Sequence, residues 1–163
     1  MEKMTGEFYK TLRQGLGMSQ ADAMYLHGVK NIRTIKRWEA GESEISERAA
    51  ERMLKAFSFV ENLVEHYEDQ AKKYYREADN LPVVLLTYKP QDFEDLMPFF
   101  QENSLPQTLY KTVVAWTAAA LSKQNIPVNV IEMDKENYRG WLEGRKDTEG
   151  QRLWWAYQRM KSV

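Results

Sequence analysis

The sequence predicts a mainly α protein with a small β element, an α+β chain built in two parts. Apolar residues recur at steps of three and four through most of the first half. Short β-branched runs appear only after Pro82. Between these regimes lies Ala78-Asp79-Asn80-Leu81-Pro82, a stretch that breaks the helical pattern. The expected parts are therefore residues 1–79, wholly helical, and residues 80–163, of mixed type.

Composition bounds what such a chain can do. It has 163 residues, 43% hydrophobic and 29% charged, enough for a packed core with an ordinary charged surface. The formal net charge is -1, so contact with a polyanion must come from a local patch. There is no cysteine, which excludes disulfides, cysteine-ligated zinc and thiol nucleophiles and fits a reducing cytoplasm. With only His27 and His66, a histidine-centred metal site is not expected, and no cofactor is implied. No apolar run approaches the ~20 residues that span a bilayer. Met1 to Lys10 also lack the basic-then-apolar order of a secretory signal.

The elements follow in order. A first helix starts near Thr5 and ends at Gly15 or Gly17, with Phe8 and Leu12 one turn apart on a shared face. Ser19 caps a second helix, with Asp22 at its third position and Gly28 free to take the left-handed conformation that ends it. Asn31 caps a third helix running from Ile32 to Glu39, with Gly41 beyond its end. Ser46 opens a long stretch in which Ala50, Met53, Leu54, Phe57, Val60, Leu63, Val64, Tyr67, Ala71 and Tyr74 form one stripe. It reads as one connecting helix to about Glu77, or as two broken near Ser58.

In the second half, Val83 to Tyr88 and Val128 to Met133 read as strands, pairing with each other or with a second chain. Asp92 is placed to cap a short helix carrying Phe93, Leu96, Met97 and Phe100, which Pro98 should kink or shorten. Pro106 precedes a helix from Gln107 to Lys123 with Tyr110, Val113, Val114, Thr117 and Leu121 inward. Asp134 and Thr148 cap two further helices, and Thr148 to Gln151 matches a capping box.

One segment carries a functional signal. Leu12-Arg13-Gln14, Met18-Ser19-Gln20, Gly28-Val29 and Ile35-Lys36-Arg37-Trp38-Glu39-Ala40-Gly41 occur in the order of the lambda-repressor-like (XRE) helix-turn-helix family, which the stretch from Phe8 to Glu42 resembles. Between Gly28 and Ile35 the chain carries one residue more than the family's usual spacing, absorbed within Val29 to Ile32. The resemblance implies an N-terminal helix-turn-helix bundle that places its third helix in the major groove of double-stranded DNA. It also implies an ion pair between Arg13 and Glu39, a structural role shared with Trp38. The second helix's start, Ser19 and Gln20, would then lie over a phosphate.

The residues support that expectation independently. Between Gly28 and Trp38 stand four cations and no acid. Arg33 and Arg37 lie four apart, on one outer face, while Ile35 and Trp38 face the core. Asn31, Arg33, Thr34 and Arg37 are the candidates for reading base edges, with Asn31 either pairing to adenine or only capping the helix. Lys30 and Lys36 are candidate phosphate contacts. The blander alternative is a solvated basic face on a small bundle.

A single helix-turn-helix covers half of a twofold operator, so a homodimer is expected, with residues 80–163 as the dimerisation domain. The layout of the second half is similar to small helix-turn-helix autoregulators that accompany anti-CRISPR genes. That resemblance implies a repressor of its own operon. The alternative is an antitoxin or another protein-binding module. Trp154-Trp155-Ala156-Tyr157 reads as core or interface. The acids Asp92, Glu94, Asp95, Asp134 and Glu136 lack any accompanying nucleophile, phosphate loop or metal-ligand spacing, so no enzyme is expected.

Overall fold

A computed structural model describes residues 3–77 and 81–161. In chain order its elements are α1 Gly6–Gly15, α2 Gln20–His27, α3 Ile32–Glu39, α4 Glu47–Glu77, β1 Val83–Tyr88, α5 Pro90–Leu96, α6 Pro98–Glu102, α7 Gln107–Lys123, β2 Val128–Met133, α8 Lys135–Leu142 and α9 Glu149–Lys161. The chain is mainly α with one small parallel sheet. Of the expected boundary, Ala78, Asp79 and Asn80 lie outside the described residues.

The chain divides into two compact units that interleave along the sequence. The first takes Met1–Val64 and Met97–Val113, and the second takes Glu65–Leu96 and Val114–Val163. A single cut at residue 80 does not reproduce this division, because α4 and α7 each run from one unit into the other.

In the first unit, short-range chemistry starts each helix. The Thr5 hydroxyl accepts from the Phe8 N–H at 3.2 Å, and Ser19 and Asp22 close a reciprocal capping box. The Asn31 side-chain Oδ1 accepts from the Arg33 N–H at 2.9 Å, and the Ser46 hydroxyl accepts from the Ala49 N–H at 3.2 Å. Gly28 ends α2 with φ 65°, a value that a residue with a Cβ adopts only under strain. Helix α3 begins at Ile32 after the Asn31 cap, where the sequence predicts.

The face shared by Phe8 and Leu12 is not the buried face of α1. Phe8 is 49% exposed, whereas Tyr9, Arg13 and Leu16 are buried. Phe8 and Leu12 are correctly one turn apart, but the buried stripe lies one residue further on. It includes a cation, which an apolar periodicity does not register. Helix α4 is continuous over 31 residues, about 47 Å at the usual rise. In its first half Ala49, Met53, Ala56 and Val60 are buried, so small alanines, not Ala50 and Phe57, share the innermost line.

Pro98 ends the short helical pattern as expected, opening α6 with Met97 as its N-cap. Phe59 of α4 stacks on Phe99 with centroids 5.8 Å apart, and Phe100 meets Phe59 and Tyr110 edge-on at 5.7 and 5.8 Å. The Thr112 hydroxyl, on α7, donates to the Leu16 carbonyl at 2.7 Å. Residues from the far side of β1 in sequence thus complete the first unit's core.

In the second unit, β1 and β2 pair with each other in parallel, with Val83 opposite Val128 and Tyr88 opposite Met133. A parallel pair needs a long crossover, and α5 to α7 supply it. Val83 to Leu86 and Tyr88 are buried, and β1 packs against α5 and α9. Helix α5 starts at Pro90, so Asp92 lies in its first turn and does not cap it. Arg152 organises the far end: its guanidinium donates to Asp147 at 2.8 and 2.6 Å and to the Leu96 carbonyl at 2.8 Å. Tyr138 donates to the same Asp147 at 2.7 Å. Trp155, Ala156 and Tyr157 are buried, while Trp154 is exposed and stacks on Tyr157 with centroids 6.0 Å apart.

Among the glycines of the first unit, Gly6 has the closest backbone neighbour. A Cβ there would lie 2.1 Å from the Trp38 carbonyl oxygen. Gly6→Ala is therefore expected to destabilise the chain by about 1–3 kcal/mol, because backbone has to move to admit the methyl group. The check is a lower urea midpoint at an unchanged slope. An unaltered midpoint would mean that α1 is not pinned to the end of α3.

Candidate nucleic-acid interface

The candidate surface is the outer side of α3, and the way α3 is held determines what that side presents. Ile35 and Trp38 are its buried residues, three apart and on the inner face. Trp38 meets Tyr9 edge-on at 5.7 Å and His27 at 5.5 Å, while Tyr9 and His27 lie 5.7 Å apart. These rings form the apolar seat of the helix.

The C-terminal end of α3 is fixed by charge. The Arg13 Nε donates to Glu39 Oε1 at 2.5 Å and Nη2 donates to Oε2 at 3.2 Å. A third guanidinium N–H reaches the Met18 carbonyl. The two side chains are only 9% and 7% exposed. Burial alone would raise the Glu39 pKa, but the hydrogen bonds from Arg13 and then Gln20 hold it below the usual carboxylate value. The pair therefore stays ionised, with most of its hydrogen-bonding capacity filled.

With the inner face so occupied, the outer face is cationic. Lys30, Arg33, Lys36 and Arg37 are all exposed, and Asn31 is exposed beside them. Thr34 is half-buried on the flank. Arg37 lies 4.0 Å from the acid Glu42, and both side chains are more than half exposed. An exposed pair at that distance is weak and readily exchanged for another anion. Asn31 uses its carbonyl oxygen as the cap of α3. Ile32, 38% exposed at the first position of α3, adds an apolar side chain to this surface that the charge pattern did not single out.

Ser19 and Gln20 stand differently. The Ser19 hydroxyl accepts from the Asp22 N–H and donates to the Asp22 carboxylate at 2.8 Å, while the Gln20 amide donates to Glu39 at 2.9 Å. Both side chains have partners within the protein. What the start of α2 offers outward is the first-turn backbone N–H groups, beside the acid Asp22. Arg13 and Trp38 are buried and Glu39 is half-buried.

His27 closes the last turn of α2, where a protonated ring would suit the helix dipole. Its Nε2 is instead buried without a hydrogen-bond partner among the described residues. Burial, and secondarily the charge of Arg52, lowers its pKa to about 4. His27 is a neutral core ring at neutral pH and contributes no charge to the helix terminus.

Three of the acids singled out in the second unit have local partners. Lys135 lies 3.8 Å from Asp92 and also pairs with Asp95, and Asp134 caps α8 by accepting from the Asn137 N–H at 3.0 Å. Among the described residues, no group of three or more His, Asp or Glu could hold a metal ion. No described helix is long and apolar enough to cross a membrane. No protein-family model matches the chain, and no curated protein matches it.

The state of His27 makes stability depend on pH. In the unfolded chain it titrates near its ordinary 6.5, and in the folded chain near 4. Above pH 6.5 neither state binds the proton, and the full contribution is present. As pH falls towards 4 the unfolded state binds it first, so stability is lost through that window. The loss is on the order of 2 kcal/mol after allowance for partial exposure. Urea unfolding of the chain and of His27→Phe at pH 7 and pH 5 should give a steeper fall for the unaltered chain. Parallel falls would mean that the ring titrates normally.

Proposed function

We propose that the chain is a sequence-specific DNA-binding transcriptional regulator, a homodimer that reads an inverted repeat through the major groove. The observation that carries this reading is the outer face of α3. It exposes Arg33, Lys36 and Arg37, with Lys30 exposed in the turn before it, while Ile35 and Trp38 anchor the opposite side. A helix of this kind fits the major groove, where each base pair presents a distinct edge. Long cationic side chains there serve both tasks of recognition, position on phosphates and selection at bases. The order of the motifs from Leu12 to Gly41 supports the same reading through the XRE-like resemblance. Repression, through occlusion of the promoter by two recognition helices, comes from that resemblance alone.

Base reading falls to Arg33 and Arg37, four apart on the exposed face, with Asn31 and Thr34 on its margin. A guanidinium can donate twice to one guanine, which discriminates against a wrong base by ~1–3 kcal/mol. Lys30, in the turn before α3, and Lys36 neutralise phosphates.

The deciding experiment is a titration against the DNA upstream of the chain's own gene, followed by selection from random duplexes. A symmetric protected site is the expected result, and failure of both to yield a preferred sequence would end the proposal. Arg37→Ala should cost ~1–3 kcal/mol on the selected site and relax the base preference there. Lys30→Ala should weaken cognate and random duplexes alike and make the salt dependence shallower by about one phosphate. Equal losses for both variants on both duplexes would remove the assignment of base-reading residues.

A further inference from the structure

The sheet has only two strands, so among the described residues the far edge of β2 pairs with no strand. That edge is accessible. Asn129, Val130 and Glu132 are exposed, Val128 and Ile131 are half-buried, and Val130 reaches 51% exposure. Its sequence, VNVIEM, contains none of the lysines, prolines or glycines that usually blunt an open edge.

The backbone pattern of the edge follows from the pairing. The Val83 N–H donates to the Pro127 carbonyl at 2.9 Å, with Val83 in register with Val128. In a parallel ladder, alternate residues turn both backbone groups towards the same neighbour. Asn129, Ile131 and Met133 therefore turn theirs to β1. Val128, Val130 and Glu132 turn theirs outward.

We infer that the occupant of this edge is the β2 strand of a second copy of the chain, lying antiparallel about a twofold axis at Val130. The outward residues are self-complementary in that register. Val130 faces its own equivalent, and Val128 faces Glu132 in both directions. Each such pair exchanges two N–H···O bonds. Sliding the strands by two residues loses one of the pairs. Sliding them until Glu132 faces itself leaves only that pair, with like charges opposed. The best register is thus the symmetric one, and it covers the most exposed apolar residue of the strand. It turns a marginal two-stranded sheet into a four-stranded one. This inference deepens the homodimer of the reading above by naming its surface and takes its twofold symmetry from that reading.

The test uses the full chain. Val130→Pro removes an outward donor and spares the groups turned to β1, so the intrachain ladder persists. Sedimentation at micromolar concentration should show a dimer for the unaltered chain and a monomer for Val130→Pro. A second measurement stands if that variant fails to fold. The chain has no cysteine, so V130C introduces a single thiol. Across the axis its equivalent lies about 5.5 Å away between Cα atoms, within disulfide range. V130C should oxidise to a covalent dimer. V128C or E132C alone should not, whereas an exchanged mixture of the two should. A monomeric unaltered chain, a dimeric Val130→Pro or an unreactive V130C would each overturn the inference. The DNA titration is read separately. A chain that binds its selected duplex but fails these arms retains the DNA reading and loses only this interface.

Discussion

Arg13 sits inside the first unit with its guanidinium forked onto Glu39 and its third edge on the Met18 carbonyl. Packing of Ile35 and Trp38 alone would tolerate a helix that slides or rotates, because apolar contact is not directional. A planar guanidinium on a carboxylate is directional, and it joins α1 to the last residue of α3. It therefore fixes the rotation of α3 and so determines which side chains point outward. The same residues explain why the pair cannot be halved. A buried charge left alone costs about 3–5 kcal/mol, more than the intact pair contributes. Gln20 completes the arrangement by donating to Glu39, and so ties α2 to the same point.

The second unit uses a comparable device at Arg152. Burial opposes its charge, but the hydrogen bonds to Asp147 and Tyr88 more than offset this and raise its pKa. Asp147 in turn accepts from Tyr138, which burial and that bond push up to about 12. In both units one arginine spans elements that are remote in sequence. Lysine, with a single mobile ammonium, could not satisfy so many acceptors at once.

What could be read from the sequence was local. Thr5, Ser19, Asn31, Ser46, Asp134 and Thr148 announce helix starts, because a cap bonds to the backbone two or three residues on. The exposure of Lys30, Arg33, Lys36 and Arg37 could be anticipated, since Ile35 and Trp38 fix the phase of a short helix. What escaped depends on distant partners. Tyr9 and Arg13 form the inner face of α1 because Glu39 neutralises the cation, and no local pattern reports that. His27 is a core ring because Tyr9 and Trp38 close around it. Gln20 turns to Glu39, nineteen residues away, and not outward. The choice between pairing within the chain and pairing with a second one stayed open until the crossover through α5 to α7 brought β2 beside β1.

Thr112 donates to Leu16 across 96 positions of sequence. A ribosome releases the chain from its N-terminus, so the first three helices emerge long before the segment that backs them. Until the start of α7 has cleared the exit tunnel, the first unit lacks part of its apolar backing, and its early helices wait in a half-finished state. During that wait a chaperone or a protease can compete for the nascent polypeptide.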